Sequence, residues 1–175
     1  GKTAVLEATA RALGGRLRLA ALSGDLATER DADRLAAAGI PSRAITTGSA
    51  CHLDARLVHE ALDDLAIRDV DILFIENVGN LVCPAIYDLG QAANVVALSV
   101  TEGEDKPLKY PVMFRVADLV LLTKTDLLPH LPDVSPSVIE EALARTMPAA
   151  RMLPVSARTG AGMEAWLAWL EQMAV

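Results

Sequence analysis

Three short runs in this chain are almost wholly apolar: Asp71–Ile75, Asn94–Val100 and Leu119–Leu122. A strand with one face in water alternates apolar and polar residues, so runs like these belong to strands covered on both faces. Segments of helical period lie between them. Asp54–Leu65 places Leu57, Val58, Ala61, Leu62 and Leu65 on one face. Asp33–Ala38 reads as a helix stopped at Gly39, Ser137–Arg145 as another and Met163–Met173 as a closing amphipathic helix. Leu17–Leu22, Arg43–Ile45 and Met152–Val155 complete the set of strands. Alternation of this kind predicts an α/β fold: a doubly wound, mostly parallel sheet with helices on both faces, in a single domain over residues 1–175.

The composition agrees. Of the 175 residues, 52% are hydrophobic but only 3% aromatic, so Ala, Leu, Val and Ile must fill the core. A net charge of −7 argues against a nucleic-acid partner or a membrane surface, since both require a basic face. No apolar run approaches the roughly 18 residues of a membrane span. Two cysteines are too few for a secreted disulfide scaffold, and a cytoplasmic setting is the simplest expectation.

The chain opens on Gly1-Lys2-Thr3, heading a helix. Glycine amides at a helix N-terminus cradle phosphates, a following Lys reaches the β- and γ-phosphates, and the hydroxyl binds Mg²⁺. The tripeptide therefore reads as the end of a phosphate-binding loop, with the first strand and the rest of the loop expected upstream. Leu122-Thr123-Lys124-Thr125-Asp126 ends a strand with T-K-x-D, a variant of the N-K-x-D motif that reads guanine. An Asp carboxylate accepts from the N1 and N2 donors of guanine, which adenine lacks, and a site built on such a partner rejects the analogue without it. Ser156-Ala157-Arg158 matches the loop that closes over the base, and Ser156 lies 30 residues beyond Asp126. Together the motifs point to GTP and GDP as ligands, with Gly1, Lys2, Thr3, Thr123, Lys124, Asp126, Ser156 and Ala157 in contact with them.

Glu76-Asn77-Val78-Gly79 stands where a D-x-x-G switch would, with Glu for Asp. A strand-end carboxylate faces the ligand crevice of such sheets. Lys2, Glu76 and Gly79 are accordingly the expected catalytic group, with Gly79 sensing the γ-phosphate. Asp25 and Asp31 are candidate Mg²⁺ ligands, and the alternative for each is a helix N-cap. No Arg or Gln in the switch segment is placed to orient a water, so slow hydrolysis is expected.

Cys51, His52 and Cys83 carry soft, deprotonable ligands suited to Ni²⁺ or Zn²⁺. The pair Cys51-His52 reads as the start of a helix, while Cys83 lies seven residues past Glu76. Two structural thiols and a surface His are the other reading of these residues. Three ligands per chain leave a four-coordinate site one short, as in a site shared between two copies or held open for transfer.

The string Thr47-Gly48-Ser49-Ala50-Cys51-His52-Leu53-Asp54 resembles a signature of the hydrogenase nickel-incorporation GTPases, the HypB family. Ile75-Glu76-Asn77-Val78-Gly79-Asn80-Leu81-Val82-Cys83-Pro84 and Leu98–Pro111 are similar to two further stretches of that family, and the likeness covers essentially the whole chain. The resemblance implies a P-loop NTPase of the dimerising G-domain class that pairs face to face across bound GTP. It implies a metal site of Cys51, His52 and Cys83 at the dimer interface, with Lys106 or Lys109 near the nucleotide or the partner copy. It also implies nickel delivery to the large-subunit precursor of a nickel–iron hydrogenase, alongside a companion zinc-binding maturation protein. A related GTPase of urease assembly and a metal-binding interaction module with a decayed nucleotide site are the alternatives.

Overall fold

The structure is a computed structural model that describes residues 1–25, 30–48, 52–63, 65 and 69–174, the side chain of Asp25 excepted. Its elements run α1 Lys2–Leu13, β1 Leu19–Asp25, α2 Arg30–Ala37, β2 Ser42–Thr46, α3 Ala55–Leu62 and β3 Ile72–Glu76. A single 3₁₀ turn at Cys83–Ala85 follows, then β4 Val95–Ser99, α4 Lys106–Lys109, α5 Pro111–Arg115 and β5 Leu119–Thr123. A 3₁₀ segment at Thr125–His130, α6 Pro136–Thr146, β6 Met152–Pro154 and α7 Met163–Met173 complete the chain. The fold is α/β with parallel sheets and helices, as the apolar runs require.

The residues gather into two compact units, one of Lys2–Gly90 with Leu167–Val175 and one of Gly1 with Gln91–Trp166. In the first, β1 lies between β2 and β3, parallel to both, with Asp25 opposite Thr46 and Ser23 opposite Glu76. The sequence places this first strand at Leu17–Leu22, but it starts at Leu19 and runs on to Asp25. The ladder carries it past the apolar run, because Ser23 is buried and pairs like its neighbours. Leu22, Ile45, Leu53, Val58 and Ala61 form a core over this sheet. Burying each of its large aliphatic side chains stabilises by about 1.5–3 kcal/mol.

In the second unit, β5 lies between β4 and β6, again parallel to both, with Ser99 opposite Thr123. All five residues of β5 are buried, as expected of a run with no polar face. Between β4 and β5 the chain makes two short helices that its hydrophobic period does not announce. Pro111 lacks an N–H and forces the preceding Tyr110 out of helical geometry (φ −124°, ψ 54°), which splits α4 from α5.

Candidate functional site

In the first unit, four predicted phosphate-site residues come together at the end of β3. The Thr3 hydroxyl donates to Glu76 Oε1 over 2.9 Å, and the Lys2 ammonium stands 4.0 Å from the same oxygen. A Cβ added to Gly79 would lie 3.3 Å from Lys2 Nζ, so the ammonium stands near both the strand-end carboxylate and Gly79. α1 brings Lys2 and Thr3 here because Val5, Leu6, Ala10 and Leu13 are buried, which fixes its first turn.

Glu76 is only 6% exposed, and its Oε2 is buried with no hydrogen-bond partner among the described residues. Burial pushes this carboxyl above the usual glutamate range; the Thr3 hydrogen bond and the Lys2 charge pull the other way, and Asp31 adds to the upward push. An unpartnered buried carboxylate oxygen is costly unless something charged meets it. With the Thr3 hydroxyl beside it, this donor set fits a hard divalent cation such as Mg²⁺, which takes oxygen ligands.

Asp31 lies in the first turn of α2, where it pairs with Arg34 at 3.1 Å. Asp25 ends β1, three residues beyond the strand expected from the apolar run, and its side chain lies outside the described residues.

The residues expected to read the base fall in the second unit. Thr123 is buried at the end of β5, and a Cβ on Gly1 would come 2.7 Å from its Oγ1. Lys124 follows with φ 60° and ψ 35°. A left-handed non-glycine residue is uncommon and costs of order 1 kcal/mol or more, a strain typical of functional turns. The turn swings the chain so that Asp126 meets the loop after β6. There the Ser156 hydroxyl donates to Asp126 Oδ1 at 2.7 Å, and Thr125 N donates to Val155 O at 3.3 Å. The T-K-x-D and S-A-R motifs are thus joined by side chain and backbone alike. Ala157 is half-buried next to Ser156. Lys109 is exposed and engaged with Asp105 at 2.6 Å, while Lys106 Nζ lies 5.4 Å from the centre of the Tyr110 ring.

Of the three expected metal ligands, Cys51 lies outside the described residues. His52 does not start a helix, contrary to the sequence expectation: α3 begins at Ala55, and the Asp54 side chain caps it by accepting from Leu57 N at 2.8 Å. An N-cap adopts extended backbone, so residues before it belong to the loop. The His52 imidazole stacks on the Tyr87 ring at 3.8 Å and 9°. Tyr87 lies just beyond the turn that Cys83 opens, and Cys83 itself is half-buried. No cluster of three His, Cys, Asp or Glu residues able to hold a metal occurs among the described residues.

Sequence reasoning passed over two asparagines of the same segment. Asn77 Oδ1 accepts from Leu53 N at 3.0 Å and from Val78 N at 2.9 Å. Asn80 Oδ1 accepts from Val82 N and Cys83 N, each at 3.0 Å. The habit of Asn side chains to bond nearby backbone amides was the available signal for Asn80. Nothing local announces the Leu53 bond.

The family model described as "CobW/HypB/UreG, nucleotide-binding domain" matches residues 1–154. The chain is 54% identical over 172 residues to the hydrogenase maturation factor HypB of Azotobacter chroococcum mcd 1, covering 98% of this chain and 56% of that protein. It therefore spans little more than half the length of this relative. A hydrogenase/urease maturation factor HypB from Helicobacter pylori (strain J99 / ATCC 700824) is 43% identical, over 94% of this chain and 68% of the relative. Among solved structures, HypB from Helicobacter pylori in complex with nickel superposes with a TM-score of 0.92 at 41% identity, covering 98% of this chain and 80% of that one. No helix among the described residues is long and apolar enough to cross a membrane.

Proposed function

The chain belongs to the HypB branch of the CobW/HypB/UreG nucleotide-binding family, and from that premise we propose that it hydrolyses GTP to gate nickel delivery during nickel–iron hydrogenase maturation. The chain as a whole serves as one GTP-binding domain, acting as a nucleotide-dependent homodimer. A companion zinc-binding maturation protein and the hydrogenase large-subunit precursor are its partners.

The observation that carries the hydrolytic half is the buried Glu76 carboxylate, with one oxygen held by Thr3 and the other without a partner among the described residues. Thr3 and Glu76 hold Mg²⁺, which when bound offsets phosphate charge and orients the phosphate chain. Lys2, beside Gly79, places its ammonium on the β- and γ-phosphates, and the Gly79 amide donates to the γ-phosphate. Asp25 or Asp31 completes the surroundings of the cation. Asp126, oriented by Ser156, accepts from the guanine edge, with Lys124 and Ala157 against the base and Lys109 near the nucleotide or the partner copy.

The nickel half draws on the Helicobacter pylori relative, whose structure holds that metal. Cys51, His52 and Cys83 are the nickel ligands in this reading. The contact of His52 with Tyr87 supports it, because it brings His52 to the segment that begins at Cys83. Nickel is the cargo, and Zn²⁺ is its competitor for the same soft ligands. The test is Ni²⁺ titration of the full-length protein with GDP and with a non-hydrolysable GTP analogue, alongside GTP turnover, repeated on Cys83→Ala. Nucleotide-dependent nickel affinity that weakens in Cys83→Ala is expected. Equal affinity in both nucleotide states would sink the gating.

A further inference from the structure

Glu76 ends β3, and the next side chain turns back across the unit. Asn77 Oδ1 accepts from Leu53 N at 3.0 Å while also accepting from Val78 N at 2.9 Å. One oxygen therefore ties the segment leading to Gly79 to the loop that carries His52, across 24 residues of sequence. Leu53 is a firm anchor for that tie. It is fully buried, and it packs so tightly on β1 that a Cβ on Gly24 would fall 2.8 Å from its Cγ. Its neighbour His52 stacks on Tyr87, and its neighbour Asp54 caps α3. The loop is thus held at Leu53 by packing, at Asp54 by the cap and at His52 by the ring stack. Its described tie to the end of β3 is Asn77.

An acceptor shared by two segments passes displacement between them. When the segment after Glu76 shifts to meet a γ-phosphate, the Asn77 side chain travels with it. The Leu53 amide then either follows or is left buried without its partner, an arrangement that proteins avoid. We propose that Asn77 is the positioning residue through which nucleotide state reaches His52. The inference rests on the reading above, in which the segment is a nucleotide switch and His52 a nickel ligand.

The test uses the full-length protein and its Asn77→Ala and Asn77→Asp variants. Asp keeps an acceptor oxygen at the same reach, whereas Ala removes it. In the wild type, Ni²⁺ affinity should differ between GDP and a non-hydrolysable GTP analogue by roughly 5- to 150-fold, the usual range of such couplings. Asn77→Ala should bring that ratio to near one, and Asn77→Asp should restore it. A ratio retained in Asn77→Ala overturns the proposal and reduces Asn77 to a turn former through Val78.

A second arm contains no metal: the His52 imidazole resonances, compared between the two nucleotide states. They should respond in the wild type and in Asn77→Asp, and stay still in Asn77→Ala. Absence of nickel binding in every protein would defeat the nickel reading yet leave this arm decisive.

Discussion

The Ser156 hydroxyl donates to Asp126 Oδ1 over 2.7 Å, fastening the loop after β6 to the loop after β5. One carboxylate oxygen is thereby oriented by the protein, which leaves the other directed by its partner rather than by free rotation. Asp126→Asn should lower GTP affinity by about 2–3 kcal/mol, the scale of a lost charged hydrogen bond, and shift preference towards xanthine nucleotide. Ser156→Ala should weaken GTP by less and leave guanine still preferred. Competition binding of GTP against XTP checks both; unchanged GTP affinity in Asp126→Asn would remove the guanine assignment.

Glu76 sets stability against function. Its carboxyl is held above the usual glutamate range by burial, so the folded protein keeps the proton to higher pH than the unfolded chain does. Without nucleotide, the associated stability is present below the unfolded value and is lost as pH rises through the folded one. Glu76→Gln removes that slope, and the nucleotide-free variant should melt higher than the wild type at neutral pH. Binding of Mg²⁺ and GTP runs the other way, strengthening as Glu76 ionises, and should be poor in the variant. Melting temperature followed from pH 4 to pH 8 decides it. Parallel curves for the two proteins would mean that Glu76 does not titrate as its burial requires.

Lys2 and Gly79 test the phosphate assignment from two sides. Lys2→Ala should slow GTP turnover by on the order of 10²-fold, as removal of a charge-stabilising donor does. Gly79 has no positive φ, and the nearest atom to an added Cβ is the flexible end of Lys2 at 3.3 Å. Gly79→Ala should therefore fold with a stability change of less than about 1 kcal/mol, yet hydrolyse GTP more slowly. Normal turnover in Lys2→Ala would show that the tripeptide is not part of a phosphate loop.

Arg18 and Asp71 supply a control at the other end of the same strand. The Arg18 backbone N–H and guanidinium both donate to the Asp71 carboxylate, at 2.7, 3.2 and 2.8 Å, and hold its pKa at about 2. This contribution to stability is present above the unfolded value of 3.8 and is lost as pH falls towards 2. Asp71→Asn should flatten the acid limb of the unfolding curve. Because Asp71 precedes β3 and Glu76 ends it, roughly 16 Å of strand separates them, and GTP affinity should not change. A drop in GTP affinity would mean that the two ends of β3 are coupled.

Much of the molecule is legible along the chain. Unbroken apolar runs mark β3, β4 and β5; β5 is buried throughout, as a strand covered on both faces with no polar side to show should be, whereas Ile72–Ile75 of β3 are only half-buried. Met163–Met173 is visible as a helix from its period alone. Gly1-Lys2-Thr3, Thr123–Asp126 and Ser156-Ala157 stand out as candidates because phosphate and base recognition would need particular residue types at close spacing, and close spacing survives in one dimension. α4 and α5 are hidden because two short helices broken at Pro111 have no room to show a period.

What only the tertiary structure decides are the pairings. Thr3 reaches Glu76 across 73 residues, Ser156 reaches Asp126 across 30, and Asn77 reaches Leu53 across 24. Thr3 lies on the helix that opens the chain and reaches the end of β3; the other two pairs join residues just past one strand to a loop that follows another. Parallel strands must be connected by crossovers, so residues that share the carboxyl ends of a sheet are always distant in sequence. Residue type and local spacing name the chemistry available; the crossovers determine which of those groups meet, and so which carboxylate is buried and which asparagine holds two loops together.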